Sequence, residues 1–406
     1  MSDRPNQSIG SSSRTRSPLL ISTMLRPKGT TGVHTHVQQL LTYAAHDPDL
    51  TATLITPFSW GRPLYLPIYG LRRAIDSVNG SASVLWYRHW HEAFLRQALR
   101  RQLANFGDCV VYAQDPPSAR AALAARRDRD QQVVMAVHFR ISQADEWANK
   151  GKISRDSKAF WNMRQMDREV IPQVDRIVYV SKWAKQALIE WLPEAADIPS
   201  AVIGNFVAPC RGTAGKEHFG DLVTVGHLEP VKNHRFLLRV LAEAKRAGRS
   251  LTLDIFGEGP LRGELQQQVR DLGLGEQVRF RGFRPDLRNF LPGYRVYVHS
   301  SYSESSSLAI MEAMDAGLPV IAANIGPMGE LFEDAVEGRY WPLEDPDEAS
   351  AILLDLVENE PSRLKMARAA RERFERDFDS SVVGPRLRSF LLGSGPHDAT
   401  PIVQSF

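Results

Sequence analysis

Glu304 and Glu312 are the residues best placed to do chemistry. Seven residues separate their carboxylates in E-S-S-S-L-A-I-M-E, and Gly317-Leu318-Pro319 follows. Ser301, Ser303 and the Ser305–Ser307 run read as a loop, and Leu308 to Ala316 as a helix. The first amides of such a helix have no intrahelical acceptor, so they form a ready anion site. Glu312 stands one turn past Leu308 on the same face. Its neighbours Ala309, Ile310, Met311, Ala313 and Met314 are apolar nearly all round, which predicts a buried helix. A carboxylate there needs partners to stay ionised. Ligand hydroxyls would serve Glu312, and ligand phosphates would fit the helix start. A buried Glu satisfied by its own protein fits the same spacing, so the rest of the chain has to decide.

Val225-Gly226-His227-Leu228-Glu229-Pro230-Val231-Lys232-Asn233 follows a strand-like run and precedes a helical one. Gly226 lets the chain turn closely. Lys232, and His227 when protonated, would balance a diphosphate. A solvated loop lysine is the plainer alternative. Asp254-Ile255-Phe256-Gly257-Glu258-Gly259-Pro260-Leu261-Arg262 repeats the pattern, with Pro260 suited to a first helical turn. Arg281-Gly282-Phe283 closes another strand and would set main-chain groups against a base. Near the start, Gly29-Thr30-Thr31-Gly32-Val33-His34-Thr35-His36 follows the first strand. Gly32 would admit phosphate or sugar to a helix N-terminus. Its G-x-x-G spacing is not G-x-G-x-x-G, which argues against a dinucleotide fingerprint. His34 and His36 do not share a helix face, so no metal site is expected there.

The elements that must position these groups come in two runs. Strand-like segments near residues 19, 53, 110, 133 and 177 are followed by others near 222, 251, 278, 296 and 319. Helical patterns such as His234 to Ala247 and Leu261 to Leu272 separate them. The alternation predicts parallel sheets covered by helices on both faces. Two runs predict two doubly wound α/β domains, parted at the irregular stretch Asn205 to Gly220 with Pro209, Gly212 and Gly215. Ligands bind beyond the carboxyl ends of such strands, so a cleft between facing domains is expected.

A chain of 406 residues exceeds one ordinary core. At 43% hydrophobic and 24% charged it reads as soluble and globular. A net charge of +3 gives nucleic-acid binding no electrostatic support. Cys109 and Cys210 sit beside apolar residues and are expected as buried free thiols. That fits a reducing compartment and excludes a disulfide scaffold or Cys-based zinc site. No apolar run approaches the ~20 residues that span a bilayer. The polar N-terminus lacks a signal-peptide apolar region.

Taken in order, these segments resemble family 4 of the retaining glycosyltransferases, with the two-domain GT-B fold. The likeness runs from about Leu19 to Leu392 and is strongest from Leu222 to Pro346. V-G-H-L-E-P-V-K-N resembles the family's V-G-R-L-x-x-x-K-N/G, and F-G-E-G-P-L-R its F-G-x-G-P. The Glu304–Glu312 stretch resembles its E-x7-E signature. Val137-His138, Asp175 to Ser181 and Ile203-Gly204-Asn205 have family counterparts, and Phe378 to Leu392 looks like the helix that returns to the first domain. The resemblance implies two Rossmann-like domains: 17–207, on the acceptor side and completed by helix 378–392, and 208–377, binding the nucleotide sugar. Residues 1–16 and 393–406 are expected to be disordered or flexible tails.

By the same resemblance Lys232 holds the donor diphosphate beside His227. The amides around Ser307, Leu308 and Ala309 cap the phosphate, and Gly32 lines the phosphate side. Glu312 takes the ribose hydroxyls. Glu304 contacts the transferred sugar, and His138 the sugar or acceptor. The family usually has Arg at His227 and G-F-G at Ser305-Ser306-Ser307. The implied enzyme is a hexosyltransferase taking a UDP- or GDP-sugar to a saccharide or polyprenyl-linked glycan, in cell-surface or exopolysaccharide assembly. It needs no cofactor, and no carboxylate cluster typical of a divalent ion appears. Trp86-Tyr87-Arg88-His89-Trp90-His91 through Arg101, and Tyr65 to Arg73 upstream, are aromatic and basic. They suit either an anionic membrane surface or an ordinary packed helix. The implied location is cytoplasmic, peripheral on the membrane's cytoplasmic face. A nucleotide-sugar epimerase of the same fold, or a catalytically weakened nucleotide-sugar-binding protein, are the alternatives. The missing G-x-G-x-x-G disfavours an NAD-dependent oxidoreductase.

Overall fold

The computed structural model describes residues 17–27, 29, 31–59, 68, 70, 71, 75, 80–149, 151, 153–210 and 218–393. The expected tail 1–16, all of the expected tail 393–406 but Gly393, the linker glycines Gly212 and Gly215, and Tyr65, Leu66, Pro67, Tyr69, Arg72 and Arg73 lie outside these residues.

The first run is β1 (Ser17–Ser22), α1 (Gly32–His46), β2 (Leu50–Ile55), α2 (Gly80–Leu103), β3 (Cys109–Ala113), α3 (Pro116–Ala125), β4 (Gln131–Val137), α4 (Gln143–Asn149), α5 (Lys158–Val170), β5 (Arg176–Tyr179), α6 (Lys182–Trp191) and β6 (Ser200–Val202). The second is β7 (Leu222–Val225), α7 (His234–Arg246), β8 (Leu253–Phe256), α8 (Arg262–Asp271), β9 (Val278–Gly282), β10 (Val296–His299), α9 (Leu308–Asp315), β11 (Val320–Ala322), α10 (Met328–Leu331), β12 (Gly338–Tyr340), α11 (Pro346–Glu358), α12 (Glu360–Asp377) and α13 (Ser380–Leu392). Each run builds one six-stranded sheet, in the orders β2-β1-β3-β4-β5-β6 and β12-β11-β10-β7-β8-β9. All strand pairs are parallel. Every residue of β3, β8 and β10 is buried, as a sheet covered on both faces requires.

The strand order reverses between β1 and β3 in one sheet and between β7 and β10 in the other. Those switch points are where open α/β sheets leave a crevice. Local chemistry starts the helices: Asp115 caps α3 in a capping box, and the Ser181 hydroxyl accepts from the Ala184 amide at the head of α6.

The chain crosses between the sheets twice, side by side. Val207 N donates to Phe378 O at 3.0 Å, and Ser380 N donates back to Val207 O at 3.1 Å. The expected terminal helix therefore starts at Ser380 rather than Phe378, with Asp379 as its cap. Val383, Leu387 and Leu391 of α13 share a core with Leu19, Val37 and Leu40 of the first sheet's layer. The expected burial of Cys210 is corrected: Cys109 is buried in β3, but Cys210 lies half-buried in the crossing segment, not in a strand.

The second sheet's glycines are pressed together. Gly257 has φ +140, and a methyl there would stand 1.9 Å from the Gly226 carbonyl oxygen. At Gly259 it would stand 2.5 Å from Leu228 O. The close approach thus falls on Gly257 and Gly259, not on Gly226, whose nearest neighbour would be the Lys232 stem at 3.7 Å. Gly257→Ala should cost roughly 3 kcal/mol or more through strain and backbone clash. Gly263→Ala, with nothing within 4 Å of the added methyl, should be neutral or slightly stabilising. Urea denaturation of the two variants checks the contrast.

Candidate functional site

β7 and β10 are neighbours, so the loops leaving their carboxyl ends meet. After β7 the chain runs through a short 3-10 turn, Pro230–Lys232, and Asn233 enters the left-handed region at φ 50 to start α7. Ser300 Oγ, just past β10, donates to the carbonyls of Lys232 at 2.9 Å and Asn233 at 3.1 Å. Tyr302 N donates to Val231 O at 2.9 Å. These bonds bring Lys232 Nζ to Glu304 Oε1 at 2.5 Å.

His299 Nε2 lies 3.0 Å from the same carboxylate oxygen. An ionised carboxylate only accepts, so His299 carries its proton on Nε2. Trp341 Nε1 fixes His299 by donating to its carbonyl at 3.2 Å. The Glu304 side chain is only 10% exposed. Burial works hardest against its charge, yet Lys232 and then His299 overcome it and hold the carboxyl well below the usual range. Sequence reasoning missed His299. Its signal is V-Y-V-H, a strand-end histidine like Val137-His138.

Next to Glu304, α9 begins without a side-chain cap from Ser307. The first bond along the helix is Met311 N to Ser307 O at 3.3 Å. Among the described residues the amides of Leu308 and Ala309 have no protein acceptor. Glu312 sits half-buried on α9, and no hydrogen bond to its carboxyl is seen among the described residues. Burial lifts its pKa to about 7 against the pull of Arg288, and Asp315 adds to the rise. His227 Nδ1 faces the Glu258 carbonyl at 3.2 Å.

The other wall belongs to the first sheet. Gly32 opens α1, is exposed, and has nothing within 4 Å of where a methyl would stand. His34 Nε2 lies 3.1 Å from Arg26 O and Nδ1 2.7 Å from Thr31 Oγ1. Burial lowers the His34 pKa against the Arg26 carbonyl, and His227 adds a little to the lowering. His138 Nε2 lies 3.0 Å from Gln114 Oε1, and its ring meets His36 edge-on at 4.8 Å. Burial first and His36 second drive its pKa well down, so His138 is a neutral imidazole. α1 touches α9, which brings Gly32's helix against the one bearing Glu312. No hydrogen bond or ion pair joins His138 to Glu304 among the described residues.

A second missed residue ties the walls together. Glu330, on α10, accepts from Lys182 N and Trp183 N, both at 2.8 Å, at the head of α6. The aromatic and basic stretch on α2 is largely packed: Trp86 Nε1 donates to Ile68 O at 3.1 Å, and His91 and Phe94 are buried. No described helix is long and apolar enough to cross a membrane.

Two doubly wound domains facing across a cleft, with a lysine and open helix amides on one wall, define the GT-B class of group-transfer proteins. Residues 30–211 match the sequence model of Glycosyltransferase Family 4, and residues 214–373 that of Glycosyl transferases group 1. Over 341 residues the chain is 26% identical to a glycogen synthase of Mycobacterium tuberculosis, covering 80% of each. Over 227 residues it is 26% identical to the GtfA subunit of a Streptococcus agalactiae UDP-N-acetylglucosamine–peptide N-acetylglucosaminyltransferase. That match covers 54% of this chain and only 42% of the subunit. Anabaena HepE, solved with UDP-glucose, superposes with a TM-score of 0.67 at 17% identity, covering 92% of this chain and 99% of its own. The chain belongs to the family 4-like glycosyltransferases of the GT-B fold, a hexosyltransferase class.

Glu312 gives a stability test. Its folded pKa near 7 exceeds the unfolded value, so the folded state binds the extra proton and stability falls as pH rises from about 4.5 to 7. Glu312→Gln should therefore raise the melting temperature at pH 8, by about 1–3 kcal/mol in stability. The gain should shrink as pH falls toward 5.

Proposed function

We propose that this protein is a retaining glycosyltransferase. It moves a hexosyl group from a UDP- or GDP-sugar to a saccharide or polyprenyl-linked glycan, in cell-surface or exopolysaccharide assembly. The observation that carries the reading is the convergence of Lys232 and His299 on Glu304 beside the open amides of α9. Lys232 has three N–H donors and uses one on Glu304, leaving two for the donor's diphosphate. As the anomeric carbon–oxygen bond breaks, charge on the leaving phosphate is met by Lys232 and the Leu308 and Ala309 amides. Glu304 offsets the positive charge that builds on the sugar ring. The acceptor oxygen forms its bond on the same face, and its proton goes to the leaving phosphate oxygen. Neutral His138 positions sugar or acceptor hydroxyls without adding charge. Glu312 gains from ribose hydroxyls the hydrogen bonds it lacks.

With cations and amides supplying the positive charge, transfer should proceed unchanged in EDTA. Location at the cytoplasmic face of a membrane belongs to the same reading, with Leu85 and His89 on the exposed side of α2. Flotation with anionic vesicles tests it, and salt-insensitive or absent binding counts against it.

Nucleotide release from UDP-, GDP- and dTDP-sugars, with membrane extract as acceptor, should identify the donor. Lys232→Ala should lower transfer by roughly 10²–10³. Proton NMR of the product should show the donor's anomeric configuration; inversion, or near-normal transfer by Lys232→Ala, would sink the assignment. Donor isomerised without any acceptor would point to an epimerase instead.

A further inference from the structure

We propose that Arg140, seated on the ring of Trp183, binds an anionic group of the acceptor, a phosphate or a carboxylate. The proposal rests on the transferase reading above. Arg140 lies two residues past His138, on the loop that leaves the carboxyl end of β4. Four other arginines of this domain are engaged with side chains: Arg88 with Gln143 at 2.5 Å, Arg126 with Asp175 at 2.9 Å, and Arg155 and Arg164 with Asp145 at 2.9 and 3.2 Å. Arg140 is exposed and makes no ion pair or hydrogen bond among the described residues. The side chain of Lys182, next to Trp183, likewise makes none among them.

Arg140 is held by an aromatic ring rather than by an anionic partner. Its guanidinium carbon stands 5.0 Å from the Trp183 ring centroid. The ring shields the guanidinium on one side and accepts none of its N–H bonds at that distance, so donors remain for an oxyanion. Trp183 is held in turn, since its amide donates to Glu330 Oε1 at 2.8 Å. Its ring edge lies 3.6 Å from the point where a methyl on Gly326 would stand, and that point is 3.1 Å from the Glu304 carbonyl oxygen. Arg140 therefore sits on the first domain, the one the resemblance gives to the acceptor, near the Glu304 loop. An unpaired cation held there attracts an anionic substituent and gives a neutral acceptor nothing comparable.

The test uses acceptors that differ in charge. Glucose, glucose 6-phosphate and glucuronate are compared as soluble acceptors, with a polyprenyl-diphosphate-linked glucose in detergent as a fourth. The donor is whichever nucleotide sugar wild type turns over. The readout is the ratio of kcat/KM for anionic over neutral acceptor, in wild type, Arg140→Gln and Arg140→Lys. A ratio cancels general damage to the fold. The ratio should fall about tenfold in Arg140→Gln, mainly through KM, and be partly kept in Arg140→Lys. The arm that shows the fall tells whether the anion is a soluble sugar's or a lipid carrier's. An unchanged ratio in Arg140→Gln in every arm overturns the proposal and leaves the transferase reading standing. Absence of transfer from any nucleotide sugar to any acceptor in wild type overturns both.

Discussion

A buried carboxylate must be matched by positive charge or give up its own, and the donor-side wall is organised around that requirement at Glu304. Lys232 arrives on the loop after β7 and His299 on the last residue of β10. Only a sheet that places those strands side by side can bring both to one oxygen. Ser300 then locks the two loops together through the Lys232 and Asn233 carbonyls. Gly257 and Gly259 let the neighbouring loop lie flush against Gly226 and Leu228. Each of these constraints is local, and together they fix the Lys232 ammonium where Glu304 needs it.

The same economy links the two domains. The head of α6 carries two amides with no intrahelical partner, and the Glu330 carboxylate satisfies both. A carboxylate at a helix N-terminus makes short, charge-assisted bonds. Glu330 lies on the turn that packs Gly326 against the Glu304 carbonyl, so the inter-domain contact and the sugar-side loop share one piece of backbone. The paired crossings at Val207 and Phe378 join the domains a second time. The separation of the walls is thus set by hydrogen bonds that run through the site itself.

What could be read in the sequence follows from the range of each interaction. Alternating apolar runs give parallel strands because burial on both faces is a local demand, and the two sheets follow from counting runs. Lys232, Glu304 and Glu312 stand out because their spacing from glycines and helix starts is visible within a few residues. Glu330 gave no such signal: its partners are 147 and 148 residues away. His299 hid inside a strand. The α2 aromatics read as either a surface or a packed helix, because helical periodicity does not show that Ile68 supplies a carbonyl to Trp86. Cys210 was misplaced for a related reason: an apolar neighbourhood in sequence does not reveal that the segment is crossing between domains.

The two departures from the family pattern gain meaning from this geometry. Lys232 is already matched by Glu304 at 2.5 Å, so one positive charge is committed before any ligand arrives. A diphosphate brings at least two more negative charges to that wall. With His227 where the family usually has Arg, the proposed site lacks a permanent cation there, and more of the load would fall on the α9 amides. Ser305 to Ser307 lead directly into those amides, and Ser307 does not cap the helix itself. In the proposed donor complex the serine hydroxyls would stand beside the phosphate as extra donors, in a loop whose backbone is less free than glycine's. Under that proposal, loss of charge at 227 and gain of hydroxyls at 305–307 are opposite changes acting on the same anion.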